Sequence, residues 1–214
     1  MIPEPTVFVV DDDAAIRKSL RFLIESVGLH VETFATAEQF LERYDRRRAG
    51  CLLLDVRMPG MSGLHLQDEL VVRKVRLPII IITAYAEVST AVGALRKGAV
   101  DFIEKPFSDQ VLLDRVLHAI EIDRRARQAE AEQAVTAERL AQLTVREREV
   151  MDGVIVGKAN KVIATELGIS EKTVESHRAR VMKKLGVETL ADLIRLALGA
   201  GGVRENPDTT KGKS

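Results

Sequence analysis

The residues of this chain best suited to chemistry each follow directly on a short apolar run. Asp11, Asp12 and Asp13 come after Val7–Val10, Asp55 comes after Cys51–Leu54, Thr83 closes Ile79–Thr83, and Lys105 follows Val100–Ile103. Three adjacent acids repel one another, a cost that a bound cation relieves. Carboxylate oxygens suit Mg²⁺, which takes one or two protein carboxylates and fills its octahedron with water and phosphate. An aspartate beside such an ion can act as a nucleophile toward a phosphoryl group. A hydroxyl and an ammonium aimed at the same point would neutralise the phosphoryl oxygens. Taken singly, each is an ordinary polar residue at a strand end; their recurrence along one edge of a sheet favours a shared site.

The strands and helices that carry these residues are legible from the pattern. β-rich runs at Val7–Val10, Val31–Phe34, Cys51–Leu54, Ile79–Thr83 and Val100–Ile103 alternate with amphipathic stretches near Ala14–Val27, Ala37–Tyr44, Gly63–Lys74 and Val88–Lys97. Strict alternation predicts a five-stranded, doubly wound parallel sheet covered on both faces. Ligands in such sheets bind beyond the carboxyl ends of the strands, where the acids, Thr83 and Lys105 fall. From Ser108 to Leu143 there is neither glycine nor proline, and Val111, Leu112, Val116 and Ile120 form a helical stripe. A coiled coil is disfavoured, because Arg124, Arg127 and Glu138 fall where a heptad begun at Leu113 needs apolar residues. We therefore expect an α/β domain over 5–122, a solvated helical linker over 123–142, an all-α domain over 143–200 and a disordered tail over 201–214.

The 32 basic residues balance 32 acidic ones in 214, so the surface as a whole is not a polyanion-binding field. No apolar stretch is long enough for a membrane span, and Met1–Pro5 lacks the character of a signal peptide. The single cysteine, Cys51, fits a reducing compartment and a core position. Cytoplasmic residence is the expectation. His30, His65, His118 and His177 share no metal-ligand spacing.

Val9-Val10-Asp11-Asp12-Asp13, the run Leu54-Asp55-Val56-Arg57-Met58-Pro59-Gly60-Met61-Ser62-Gly63, Ile82-Thr83-Ala84 and Asp101-Phe102-Ile103-Glu104-Lys105-Pro106-Phe107 resemble the receiver domain of two-component response regulators, a flavodoxin-like fold. The resemblance implies that Asp55 takes a phosphoryl group from a sensor histidine kinase. It implies that Asp11, Asp12, Asp55 and the main-chain carbonyl of Arg57 bind Mg²⁺, and that Thr83 and Lys105 contact the phosphoryl group. Phe102 would be the aromatic whose rotamer reports the switch. Asp13 is the surplus acid and suits a helix N-cap. A phosphohydrolase with an aspartate nucleophile needs a second acid two residues on, where this chain has Arg57, so the site is poorly equipped for turnover.

Past the linker, Thr144 with Glu147 makes a capping box, a short helix near Lys161–Leu167 stops at Gly168, and Ser170 caps a third over Glu171–Leu185. Helix, short turn, helix is the arrangement that presents a recognition helix to the DNA major groove. On the third helix Val174, Val181 and Leu185 share one side, with Lys172, Ser176, Ala179 and Lys183 opposite. Residues 171–186 hold five basic and two acidic groups. Leu143-Thr144-Val145-Arg146-Glu147-Arg148-Glu149-Val150, Asn160-Lys161-Val162-Ile163-Ala164 and Ile169-Ser170-Glu171-Lys172-Thr173-Val174-Glu175-Ser176-His177-Arg178 resemble the LuxR-type helix-turn-helix. Lys158-Ala159 and Met151 depart mildly from that pattern. Receiver and helix-turn-helix together are similar to the NarL/FixJ family. That resemblance implies base contacts from Glu175, Ser176 and Ala179, and phosphate contacts from Lys161, Lys172, Thr173, His177 and Arg178. It also implies double-stranded DNA and RNA polymerase as partners, a homodimer on phosphorylation, and control of transcription. The competing class is a receiver-linked module that binds protein or RNA.

Overall fold

The computed structural model describes residues 4–84 and 88–199, apart from the side chains of Ser89 and Leu198. Two compact units divide the chain, Met1–Gln128 and Ala129–Ser214.

In the first unit, β1 (Thr6–Val10), β2 (His30–Phe34), β3 (Gly50–Asp55), β4 (Ile79–Thr83) and β5 (Asp101–Glu104) form one parallel sheet in the order β2-β1-β3-β4-β5. The three central strands are buried along their whole length, which is why they read as unbroken apolar runs. β2 and β5 lie at the edges and keep polar residues on partly exposed positions. The last strand begins one residue later than the apolar run suggests. Val100 donates its N–H to the Ile79 carbonyl at 2.8 Å as a lead-in, and the ladder itself starts at Asp101 opposite Ile80.

Between the strands run α1 (Ala14–Glu25), α2 (Ala37–Arg43), α3 (Gly63–Val72) and α4 (Val88–Arg96), followed by α5 (Asp109–Ala141). Polar residues start three of them: Asp13 accepts from the N–H groups of Ala15 and Ile16, Thr36 from Gln39 and Ser62 from His65. One face of the sheet packs Phe8, Leu52, Leu54 and Ile81 against Phe40, Leu66 and Leu70. The other packs Val7, Val9, Leu53 and Ile80 against Ile24, Leu112 and Val116. Cys51 lies wholly buried there, and burial pushes its thiol well above the ordinary range.

The second unit holds the end of α5 together with α6 (Val145–Ile155), α7 (Asn160–Leu167), α8 (Glu171–Leu185) and α9 (Leu190–Gly199). Its core gathers Leu140, Leu143, Val150, Met151, Ile163, Val174, Val181, Leu185 and Leu193. Both halves of the α6 capping box are formed. Gly168 and Gly186 close α7 and α8 in the left-handed region, with φ of 67° at each. The expected tail over 201–214 lies outside the described residues.

Candidate functional sites

At the carboxyl edge of the first unit's sheet, three strands deliver their end residues to one point. Lys105 Nζ lies 2.8 Å from Asp11 Oδ2 and 2.9 Å from Asp55 Oδ1, with all three side chains largely buried. Asp55 Oδ2 accepts the Arg57 N–H at 2.8 Å, and Asp11 Oδ1 accepts the Asp13 N–H at 2.9 Å. Both carboxylates are thus oriented on two sides. Burial pushes the Asp55 carboxyl above its ordinary range, and the Asp11 charge adds to the rise against the pull of Lys105 and the Arg57 N–H. Burial works against the Lys105 ammonium too, but the hydrogen bonds and charges of Asp11 and Asp55 outweigh it and raise its pKa.

Thr83 is buried at the end of β4, and its carbonyl accepts the Lys105 N–H at 2.8 Å. Phe102 is half-buried opposite Ile81, so strand alternation puts it on the same face of the sheet as Thr83. Asp12 is exposed on the loop, and Asp13 is occupied as the cap of α1. Gly63 packs its backbone against Asp55: a Cβ there would stand 2.0 Å from the Asp55 carbonyl oxygen. Arg17, which no motif marks, also joins this edge: its Nη1 donates to the Asp11 carbonyl at 2.6 Å. Its place one turn into α1, four residues past the cap, was the available signal.

Among the described residues, no three acid, imidazole or thiol side chains converge as a metal-holding group. The donor chemistry nevertheless suits a hard cation. Asp11 and Asp55 supply buried carboxylates held close enough to share one ammonium, and Mg²⁺ needs no more than one or two carboxylates from a protein.

In the second unit, Ser170 Oγ accepts the Thr173 N–H at 3.1 Å and starts α8. Val174, Val181 and Leu185 are buried, while Lys172, Glu175, Ser176, Ala179, Arg180 and Lys183 are exposed. Lys161 is exposed near the start of α7. Thr173 shares a 2.8 Å hydrogen bond with Ser170 through their hydroxyls. His177 is half-buried, and its Nδ1 is buried without a partner. The basic count of α8 overstates by one the charge available to a ligand: Lys184 Nζ turns inward to Glu147 at 2.6 Å, whereas Arg178 Nη1 donates to the neutral Asn160 Oδ1 at 2.6 Å and keeps its charge. Among the described residues no helix is long and apolar enough to cross a membrane.

Comparison with known proteins places the chain in a family. Residues 7–117 match the response regulator receiver domain, and residues 141–197 match the bacterial regulatory proteins of the luxR family. The chain is 44% identical to the transcriptional regulatory protein FixJ of Bradyrhizobium diazoefficiens, over 91% of this chain and 95% of that protein. It is likewise 44% identical to the transcriptional regulatory protein TdiR of Thauera aromatica, over 90% of this chain and 85% of that one. Among solved structures, the response regulator StyR matches with a TM-score of 0.84 at 45% identity, over 91% of this chain and 98% of its own. The chain belongs to the two-component response regulators, joining a receiver domain to a LuxR-type DNA-binding domain.

Proposed function

We propose that Asp55 is the phosphoacceptor, that a sensor histidine kinase is the donor, and that phosphorylation changes dimerisation and promoter binding. The observation that carries this reading is the Lys105 ammonium held between the Asp11 and Asp55 carboxylates. A carboxylate oxygen of Asp55 attacks phosphorus while the bond from phosphorus to the donor nitrogen breaks, and the freed imidazole keeps that electron pair. Lys105 and the Thr83 hydroxyl stabilise the charge on the transferred group. Asp11, Asp12, Asp55 and the Arg57 main-chain carbonyl would hold Mg²⁺, which supplies neutralising charge and orients the phosphoryl oxygens. Phe102 follows Thr83 as the two-state element.

The exposed face of α8 supports base contacts from Glu175, Ser176 and Ala179 in double-stranded DNA. Phosphate contacts fall to Lys161, Lys172, Thr173, His177 and Arg178, the last in addition to its bond with Asn160. The regulator acts in the cytoplasm, where its DNA is, as a homodimer when phosphorylated and with RNA polymerase as its downstream partner.

Asp55→Asn removes the nucleophile while keeping the shape of the side chain. Incubated with acetyl phosphate and Mg²⁺, the wild type takes up acid-labile, acyl-type phosphate and the variant takes up none, with unchanged circular dichroism. Equal incorporation in both would refute Asp55 as the acceptor.

A further inference from the structure

In the second unit the last turn of α5 and the end of the recognition helix hold one another. Arg139 Nη1 donates at 3.2 Å to the carbonyl of Leu185, the last residue of α8. That carbonyl is among the final four of the helix, which have no partner within it. In return, Lys184 Nζ donates at 3.1 Å to the carbonyl of Gln142, just past the end of α5, while keeping its ion pair with Glu147. Arg148 Nη2 donates at 2.8 Å to the carbonyl of Leu140. Cations therefore sit at the C-terminal ends of both helices, where the helix dipole favours them. Beneath this polar layer Leu140 and Leu143 pack into the same core as Val181 and Leu185. From Gln128 to Glu138, by contrast, α5 is exposed at every position but the half-buried Thr136.

We propose that Arg139 and Lys184 are positioning residues for DNA recognition, tying the orientation of α8 to the end of α5 and so carrying the state of the receiver to the reading surface. The inference rests on phosphoryl control as proposed above. It assigns Lys184 to this joint, apart from the residues that contact DNA. A staple that only steadied the local fold would change affinity equally in both phosphorylation states; a transmitting joint changes the ratio between them.

The test uses the full chain as wild type, Arg139→Ala, Arg139→Lys and Lys184→Met. Each is measured with and without acetyl phosphate and Mg²⁺, on a genomic fragment recovered with the wild type and on a random duplex, while Asp55 labelling is followed separately. In Arg139→Ala the gain in affinity on phosphorylation falls about fivefold, the worth of one hydrogen bond, with labelling intact and random-duplex affinity within about twofold. Arg139→Lys, which can still donate to the Leu185 carbonyl, recovers most of the gain. Lys184→Met also loses gain, yet leaves the salt slope of DNA binding unchanged, whereas loss of a phosphate contact would lower it by about one unit. A wild-type gain in Arg139→Ala, an equal loss in both states, or a reduced salt slope in Lys184→Met overturns the proposal. If the wild type is labelled but gains no affinity, or is not labelled at all, the phosphoryl-control reading fails first and the joint falls with it.

Discussion

Two buried carboxylates in this chain, both facing lysines, respond to their surroundings in opposite directions. Asp55 sits beside Asp11, and burial with that like charge carries its carboxyl up despite Lys105. Glu147 has no competing acid: the Lys184 hydrogen bond first, and the Thr144 N–H second, hold it down at about 2. The sign of the consequence for stability follows from linkage. A carboxyl depressed in the folded state stabilises fully above its unfolded pKa, about 4.3 for glutamate, and loses that contribution as pH falls through the folded value. The second unit should therefore loosen between about pH 4.5 and 2. Amide hydrogen exchange at α6 and α8 in the full chain reads this directly. Lys184→Met should flatten that part of the profile, and an unaltered profile in the variant would show that the pair does not set it.

Among the elements, α5 has two characters. Near its start it is a receiver helix, with Leu112, Val116 and Ala119 buried against the sheet. Farther along, Asp123 accepts the Gly50 N–H at 2.8 Å and pairs with Arg127, whose guanidinium reaches the carbonyls of Arg46, Arg47 and Arg48. Its exposed middle is then held by helical hydrogen bonding, with no apolar face to bury. Such a segment can transmit rotation as a rod. Inserting one alanine between residues 129 and 135 turns everything downstream by about 100°. That should abolish the phosphorylation-dependent gain in DNA binding, whereas seven inserted residues return the phase to within about 20° and should retain part of it. Equal gains for both insertions, in the same binding assay, would mark α5 as a loose tether.

For the molecule as a whole, the control from Asp55 proposed above has to cross from one compact unit to another. A phosphoryl group on Asp55 would carry roughly −1.5 to −2 charge in place of the carboxylate's single negative charge, so it would affect DNA only by biasing an equilibrium between two states. Near-complete switching would take ~5.5 kcal/mol of differential stabilisation, so a partial shift is the expectation. Pairing of two phosphorylated chains would supply a second route, because two reading helices on half-sites about one DNA turn apart bind far better than one. Light scattering at micromolar concentration should show the mass doubling with acetyl phosphate and Mg²⁺ in the wild type and staying monomeric in Asp55→Asn. A phosphorylated wild type that remains monomeric would exclude pairing as the route.

The parallel sheet was legible in the residues alone, because strands buried on both faces must read as apolar runs and helices between them as amphipathic stretches. Ordered motifs at the strand ends put Asp11, Asp55, Thr83 and Lys105 at one edge, where the fold has them, since a parallel sheet brings all its carboxyl ends together. The α8 wheel separated Val174, Val181 and Leu185 from the outer face, because helical periodicity is local. Where long flexible cations of the second unit point emerged with the packing. Lys184 chose Glu147 across 37 residues, and Arg139 chose the Leu185 carbonyl across 46. No period in the chain encodes those partners: a lysine or arginine side chain can reach in many directions, and the group that holds it arrives only when distant segments pack.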